Sequence, residues 1–338
     1  MHAEADAAVA RRAASLVARS LVWDNHACMP LRPHDASFLP QLERLRAAGT
    51  NVVMLNAGFG EQGLEEHVRM LAAMRDWLAR NADRFRLIES IDDIAAARAH
   101  GQLAVGFDIE GANAIADQTS LVRLYHDLGV RWMLVAYNRN NRAGGGCQDD
   151  DGGLTDFGRR MIDAMEEVGM VLCCTHTGRR TALEAMAHAT GPTIFSHSNA
   201  LALRRHPRNI DDALIRACAA KGGVVGINGI DLFLNGDRDA SGRALACHVD
   251  HIAQLVGARH VGLGLDYVFD QQELAEQLAQ MKLTFPAGLG YDGDISMATP
   301  EVVPAVVADL LARGYGDDDV EAILGGNWLR VARQVWKH

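Results

Sequence analysis

Short apolar, β-branched runs recur along the chain at Leu21–Trp23, Asn51–Leu55, Leu103–Phe107, Arg131–Ala136, Met170–Cys174, Pro192–Phe195, Gly223–Ile227 and His260–Leu265, each bounded by turn-forming or polar residues. Between them the apolar positions shift to helical spacing over Phe38–Ala48, Leu64–Asn81, Ile91–Ala99, Ser120–Leu128, Leu154–Val168, Arg180–Ala189, Asp211–Ala220 and Arg243–Val256. Helix-start chemistry supports several of these. Thr155 precedes Asp156, and Asp211-Asp212 fall in a first turn, where carboxylates suit the positive end of the helix dipole. Eight strands alternating with helices predict an α/β fold, a (β/α)8 TIM-type barrel. An amphipathic N-terminal helix over 4–19 and closing helices over Pro300–Arg313 and Asp317–Trp336, the latter interrupted at Gly325-Gly326-Asn327, complete a single domain over 1–338. Arg142–Gly153 reads as a loop after the fourth strand, either a solvated turn or a cover for the barrel mouth. Phe269–Pro300 reads as an insertion after the eighth strand, with a flexible tract at Pro286–Asp294.

The stretch Met170–Asn209 concentrates the chemistry. Two of its strands end in a hydroxyl residue and a histidine, Thr175-His176 and Ser196-His197, with a helix between them. A βαβ unit makes such strands parallel and puts their C-terminal ends on one edge, so the two imidazoles stand side by side. Neighbouring neutral imidazoles suit a zinc-type ion. Barrel enzymes work at the C-terminal ends of their strands. That edge collects Asp24, His26 and Cys28 from the first strand, Asn56 from the second, Asp108 and Glu110 from the third, and Tyr137 and Asn138 from the fourth. The later strands add His176, His197, Asn228 and Asp266. Histidines and carboxylates from five strands at one mouth predict a metal site. His248 and His251, on an outer helix, are read as structural.

Composition narrows the class. Over 338 residues the chain is 49% hydrophobic and 22% charged, ordinary for a globular protein with a large core. A net charge of −10 argues against a nucleic-acid surface, and the apolar runs are strand-sized, so no membrane span is expected. The N-terminus lacks the apolar core of a secretory signal. Six cysteines, at 28, 147, 173, 174, 218 and 247, form no CxxC pair, which points to a reducing cytoplasm. Cys173 and Cys174, adjacent in one strand, should face opposite sides of the sheet.

The segments WDNHACMPL (23–31), FDIEG (107–111), GLTDFGRRMIDAMEEVGMVLCCTHTG (153–178), PTIFSHSNALALRRHPRN (192–209), GLGLD (262–266) and GGNWLRV (325–331) resemble the membrane dipeptidase family of zinc peptidases, within the amidohydrolase superfamily. The resemblance spans roughly residues 20 to 335. It implies two zinc ions: His26 and Asp266 match ligands of one, His176 and His197 match ligands of the other, and Glu110 matches a bridging carboxylate. Asp266 would also take the proton of the attacking water. Arg208, in HPRN, matches the arginine that binds a substrate carboxylate, and Tyr137 and Asn228 are further expected substrate contacts. The implied activity is hydrolysis of an amide bond in a small carboxylate-bearing substrate, a dipeptide or N-acyl amino acid, and a homodimer is the implied assembly.

Three positions depart from the family pattern. Cys28 stands where the family's His-X-Asp motif carries a ligand aspartate. It is either a thiolate ligand, which would soften the site, or a small buried residue that leaves one metal weakly held or absent. Tyr137 replaces a histidine that helps stabilise the tetrahedral intermediate, and Asn228-Gly229-Ile230 lacks an aromatic residue found in some members. These departures keep open a divergent enzyme acting on a lactone, cyclic amide or other specialised metabolite, and a catalytically weak, metal-poor binding protein.

Overall fold

The apolar runs form the staves of a barrel in the computed structural model, which describes residues 2–337. The strands are β1 (Trp23–Cys28), β2 (Val52–Phe59), β3 (Phe85–Leu87), β4 (Leu103–Glu110), β5 (Val130–Leu134), β6 (Val171–Cys173), β7 (Thr193–Ile194), β8 (Val225–Ile227), β9 (Val261–Leu263) and β10 (Tyr267–Val268). Eight of them pair in parallel in the order β7-β6-β5-β4-β2-β1-β9-β8. A parallel bridge between Phe195 and Val225 closes the ring; the Phe195 N–H donates to the Val224 carbonyl (3.0 Å) and the Gly226 N–H to the Phe195 carbonyl (2.7 Å). The expected barrel is present, with helices over the predicted segments.

The differences have physical causes. β3 and β10 are additions of three and two residues, on the first half of β4 and the last half of β1, too short to show alternation in sequence. β1 begins at Trp23, where the apolar run Leu21–Trp23 ends, because its polar residues find partners inside the barrel. Asp24 accepts the Leu265 N–H at 2.8 Å, and Asn25 accepts the Trp23 indole N–H at 3.1 Å. β4 runs on to Glu110 for the same reason, so His26, Asp108 and Glu110 lie within strands, not after them. At Gly325-Gly326-Asn327, which reads as a break or helix restart, a π-helical turn, Ala322–Gly326, follows Asp317–Glu321 and the α-helix restarts as Asn327–Val335. The insertion holds a helix, Gln271–Gln280. The glycine-rich loop at 142–153 braces two strand ends, its Cys147 N–H donating to the His176 carbonyl and its Gln148 N–H to the Asn138 carbonyl, both at 2.9 Å.

Two apolar layers result. Val53, Leu55, Phe107, Leu172, Cys174 and Val225 face the surrounding helices, while Trp23, Val52, Met54, Trp132, Leu134 and Cys173 fill the barrel. Cys173 and Cys174 thus divide between the layers as their alternation requires. Trp328 joins the inner layer from the last helix and donates its indole N–H to the Leu263 carbonyl at 3.0 Å. Gly226 and Gly262 make room for its ring, since a Cβ at either position would press against it. Among the described residues no helix is long and apolar enough to cross a membrane.

Gly264 fits the same close-packed wall: a Cβ there would overlap the Ser196 carbonyl oxygen and crowd His197. Gly264→Ala is expected to destabilise by about 1–3 kcal/mol, read as a lowered Tm, whereas Gly152→Ala, with open space around it, should leave Tm unchanged. Equal melting of the two variants would refute the close backbone approach.

Candidate metal centre

The barrel brings together His26, Cys28, Glu110, His176, His197 and Asp266. His26 and His197 are fully buried, with rings stacked at 4.0 Å. Their Nε2 atoms and that of His176 all point at one atom, Glu110 Oε1, at 3.7 Å (His26), 3.4 Å (His176) and 3.2 Å (His197). His176 Nε2 and His197 Nε2 are 3.1 Å apart. Cys28 Sγ and Asp266 Oδ1, 3.6 Å from each other, complete the His26 side at 3.5 Å and 3.4 Å from its Nε2. Two groups with metal-ligand spacing emerge, His26-Glu110-His197 and His26-Cys28-Asp266.

Supporting contacts decide which nitrogen of each ring is bare. His26 Nδ1 donates to Asp108 Oδ2 at 3.1 Å and His176 Nδ1 to Asn138 Oδ1 at 2.7 Å, while His197 Nδ1 lies 2.9 Å from the Ser196 hydroxyl. The Nε2 atoms of the three rings thus converge on a Glu110 oxygen that has no hydrogen-bond donor among the described residues, and His176 and His197, kept neutral by burial, offer bare lone pairs there. Lone pairs facing a carboxyl oxygen repel it, and a divalent cation would reverse that. The donor set therefore fits the metal that the sequence implies. The carboxylates are fixed as well: Asn56 Nδ2 donates to Asp108 Oδ1 and Glu110 Oε2, both at 3.1 Å, and Asn228 Nδ2 donates to Asp266 Oδ2 at 2.9 Å.

Backbone geometry aims these groups. Asn138, His176 and Asp266 adopt φ of 56°, 61° and 58°, in the left-handed region that non-glycine residues rarely occupy. Such residues cost about 1–3 kcal/mol each and persist where the surroundings hold them, often at functional sites.

Burial sets the electrostatics. It pushes the Glu110 carboxyl up to about 8 and Asp24 up to about 7. Burial opposes charge on His26, but Asp108 and Glu110 outweigh it and hold its pKa well above the ordinary value. His176 and His197 are driven well below theirs, by burial first, then by Arg208 for the former and His26 for the latter. Cys28 is pushed up to about 12, again by burial.

The remaining expected residues lie around this cluster. Tyr137 stacks on His176 at 3.9 Å. Arg208 is buried, with its guanidinium 5.2 Å from the centre of the Phe233 ring; Nη2 donates to the His197 carbonyl at 3.3 Å, and Nη1 has no partner among the described residues. Asn228 gives its amide nitrogen to Asp266, and its Oδ1 accepts the Ile230 N–H (2.7 Å). His248 is structural as read, donating to the Leu234 carbonyl (2.9 Å) and accepting the Ala200 N–H (3.1 Å), and His251 pairs with Asp212. Sequence reasoning placed Asn56, Asp108 and Asn138 at the strand ends without assigning them a role, and assigned none to Ser196. The supporting role of Asp108 was within reach, since it sits two residues before Glu110 and so shares its face of β4.

Comparison with known proteins identifies the family. The family model for membrane dipeptidases, peptidase family M19, matches residues 11–283. A Klebsiella pneumoniae relative, "Uncharacterized protein in pqqA 5'region", is 31% identical over 280 residues, covering 80% of this chain and 96% of its own. Dipeptidase aclJ of Aspergillus oryzae is 32% identical over 240 residues, covering 70% of this chain and 52% of its own. The chain thus spans nearly all of the bacterial relative and about half of the fungal one. The structure of an amidohydrolase from Pseudomonas aeruginosa superposes with a TM-score of 0.88 at 27% identity, covering 96% of this chain and 99% of that one.

Because Glu110 and His26 hold protons near neutrality in the metal-free cluster, a cation must displace them. Calorimetry in buffers of different ionisation heat should show at least about one proton released per chain at pH 7, with affinity rising as pH approaches 8. Binding without proton release would refute a protonated cluster.

Proposed function

Since the chain belongs to the membrane dipeptidase family, we propose that it is a hydrolase of an amide bond in a small carboxylate-bearing substrate, of the dipeptide or N-acyl amino acid type, working with two zinc ions. The observation that carries this reading is the convergence of three imidazole nitrogens on the unpartnered Glu110 Oε1. His26, Cys28 and Asp266 would hold one ion, His176 and His197 the other, with Glu110 between them. When bound, such ions polarise a scissile carbonyl and lower the pKa of water towards 7.

The chain's own groups do the rest. Asp266, with Oδ2 tied to Asn228, presents Oδ1 to take a proton from water and pass it to the leaving amine nitrogen. Burial, with Glu110 next, keeps the Tyr137 phenol protonated, so its O–H serves as a donor to the oxyanion. Arg208 offers the free Nη1 of a desolvated guanidinium, suited to a substrate carboxylate. Cys28 must lose a proton held up to about 12 before it can act as a ligand, which makes its side of the centre the more pH-sensitive. All six cysteines are free, which supports a reducing cytoplasm as the protein's setting.

Elemental analysis should find about two zinc per chain, and chelation should abolish turnover of a dipeptide and N-acyl amino acid panel until zinc is restored. Turnover that survives complete metal removal would end this reading. Arg208→Met should lower kcat/KM by about a hundredfold, chiefly through KM, on the scale of a lost charge-assisted pair. Comparable losses on a substrate with an amidated carboxylate would show that Arg208 does not bind that group.

A further inference from the structure

The centre opens into a chamber roofed by the insertion. Phe285 and Tyr291, both buried, meet at 5.3 Å, and Phe59 bridges Tyr137 (5.1 Å) and Phe285 (6.5 Å). Ile230 and Leu278 extend the same wall. The space between the walls is about 840 Å³ with the open solvent at its mouth included.

The charges in this chamber are unevenly placed. Arg208 is the one arginine or lysine among the described residues lining it. Four carboxylates line it too. Glu110 and Asp266 belong to the metal cluster. Asp270 Oδ2 takes the Arg32 guanidinium at 2.8 Å while its Oδ1 accepts the N–H groups of Gln272 (3.0 Å) and Glu273 (3.2 Å). Glu273 Oε1 accepts the Leu31 N–H at 3.1 Å and the Gln277 amide at 3.2 Å, and Oε2 faces Arg32 Nε at 3.2 Å. Asp270 and Glu273 are both engaged by one guanidinium, that of Arg32, which also pairs with Asp35.

A dipeptide carries an α-ammonium next to its scissile carbonyl. In this chamber that charge would lie near the metal cluster, among apolar walls, while Asp270 and Glu273 are already engaged by Arg32, and an unpaired buried charge is costly. An apolar acyl chain would instead exchange water for aromatic and aliphatic surface. Resting on the amide-hydrolase reading above, we infer that the substrates are N-acyl amino acids with an extended apolar acyl group, the carboxylate on Arg208 and the chain against the Phe59–Phe285–Leu278 wall. In the reaction water adds across the acyl C–N bond. Its oxygen joins the acyl carbon to give a carboxylic acid, and a proton goes to the nitrogen, which leaves as the free amino acid.

The decisive comparison is leucylglycine against N-(4-methylpentanoyl)glycine, which differ only in the α-ammonium. With the zinc-loaded protein, kcat/KM should favour the acyl compound at least about tenfold, and N-acylglycines from acetyl to octanoyl should gain about fourfold per methylene until the chamber is filled. Phe285→Ala should flatten that series, with the largest loss for octanoylglycine and the smallest for acetylglycine. Calorimetric binding of the same series to the metal-free protein should show the same order. Preference for leucylglycine, or a flat series in both measurements, overturns the inference and leaves amide hydrolysis standing. No turnover of any amide, with chain-length-dependent binding retained, overturns the hydrolase reading and leaves the apolar chamber standing.

Discussion

Three imidazole nitrogens aimed at one carboxyl oxygen form an arrangement that a divalent cation completes. Much of the barrel mouth can be understood as holding that arrangement in place. Asp108, Asn138 and Ser196 engage the far nitrogen of each ring, so that the Nε2 atoms face inward. Asn56 and Asn228 each fix a carboxylate by an amide N–H, and left-handed backbone at Asn138, His176 and Asp266 turns the strand ends towards the axis. The strain and repulsion gathered at this end are carried by the opposite one, where Trp328 closes a floor of close-packed apolar side chains. Stability and chemistry thus occupy opposite faces of one sheet, as parallel barrels permit.

Much of this was legible in the sequence. Alternating strand-sized and helix-sized apolar runs specify the barrel, because burial on both faces demands near-continuous apolar strands between amphipathic helices. His176 and His197 could be paired because a single βαβ unit carries both, and the parallel rule fixes their relative position. His26 and Glu110 were found as residues beyond apolar runs, yet they lie inside strands. Hydropathy marks where water is excluded only when polar side chains lack internal partners, and those of β1 and β4 have them.

What could not be read concerns contacts between segments remote in sequence. Asn228 follows a strand, and the bond its amide nitrogen makes to Asp266, thirty-eight residues away, leaves no mark in the local sequence. The chamber is a similar case. Pro286–Asp294 reads as a flexible tract, yet the His206 ring donates to the Leu289 carbonyl at 3.1 Å, and Asn138 Nδ2 to the Thr284 carbonyl at 3.2 Å. Phe233, five residues beyond Asn228, sits under Arg208. Glycine content and polarity report local chain preferences, and such long-range anchors are invisible to them.

These anchors also separate two properties that could otherwise conflict. The metal cluster is built from strand residues and their immediate partners, whereas the chamber roof comes from the insertion, joined to the strand ends by a few hydrogen bonds and a bridge between Ile230 and Met297. Changes in Phe285, Leu278 or Tyr291 alter what lies against the substrate without touching a side chain of the cluster. Arg208 belongs to neither layer alone. Its backbone follows His206, which anchors the roof, and its guanidinium bonds the carbonyl of His197, which belongs to the cluster. A carboxylate held there is thereby referenced to both, so that the distance from carboxylate to scissile bond is set by the barrel, while the group beyond that bond is judged by the roof.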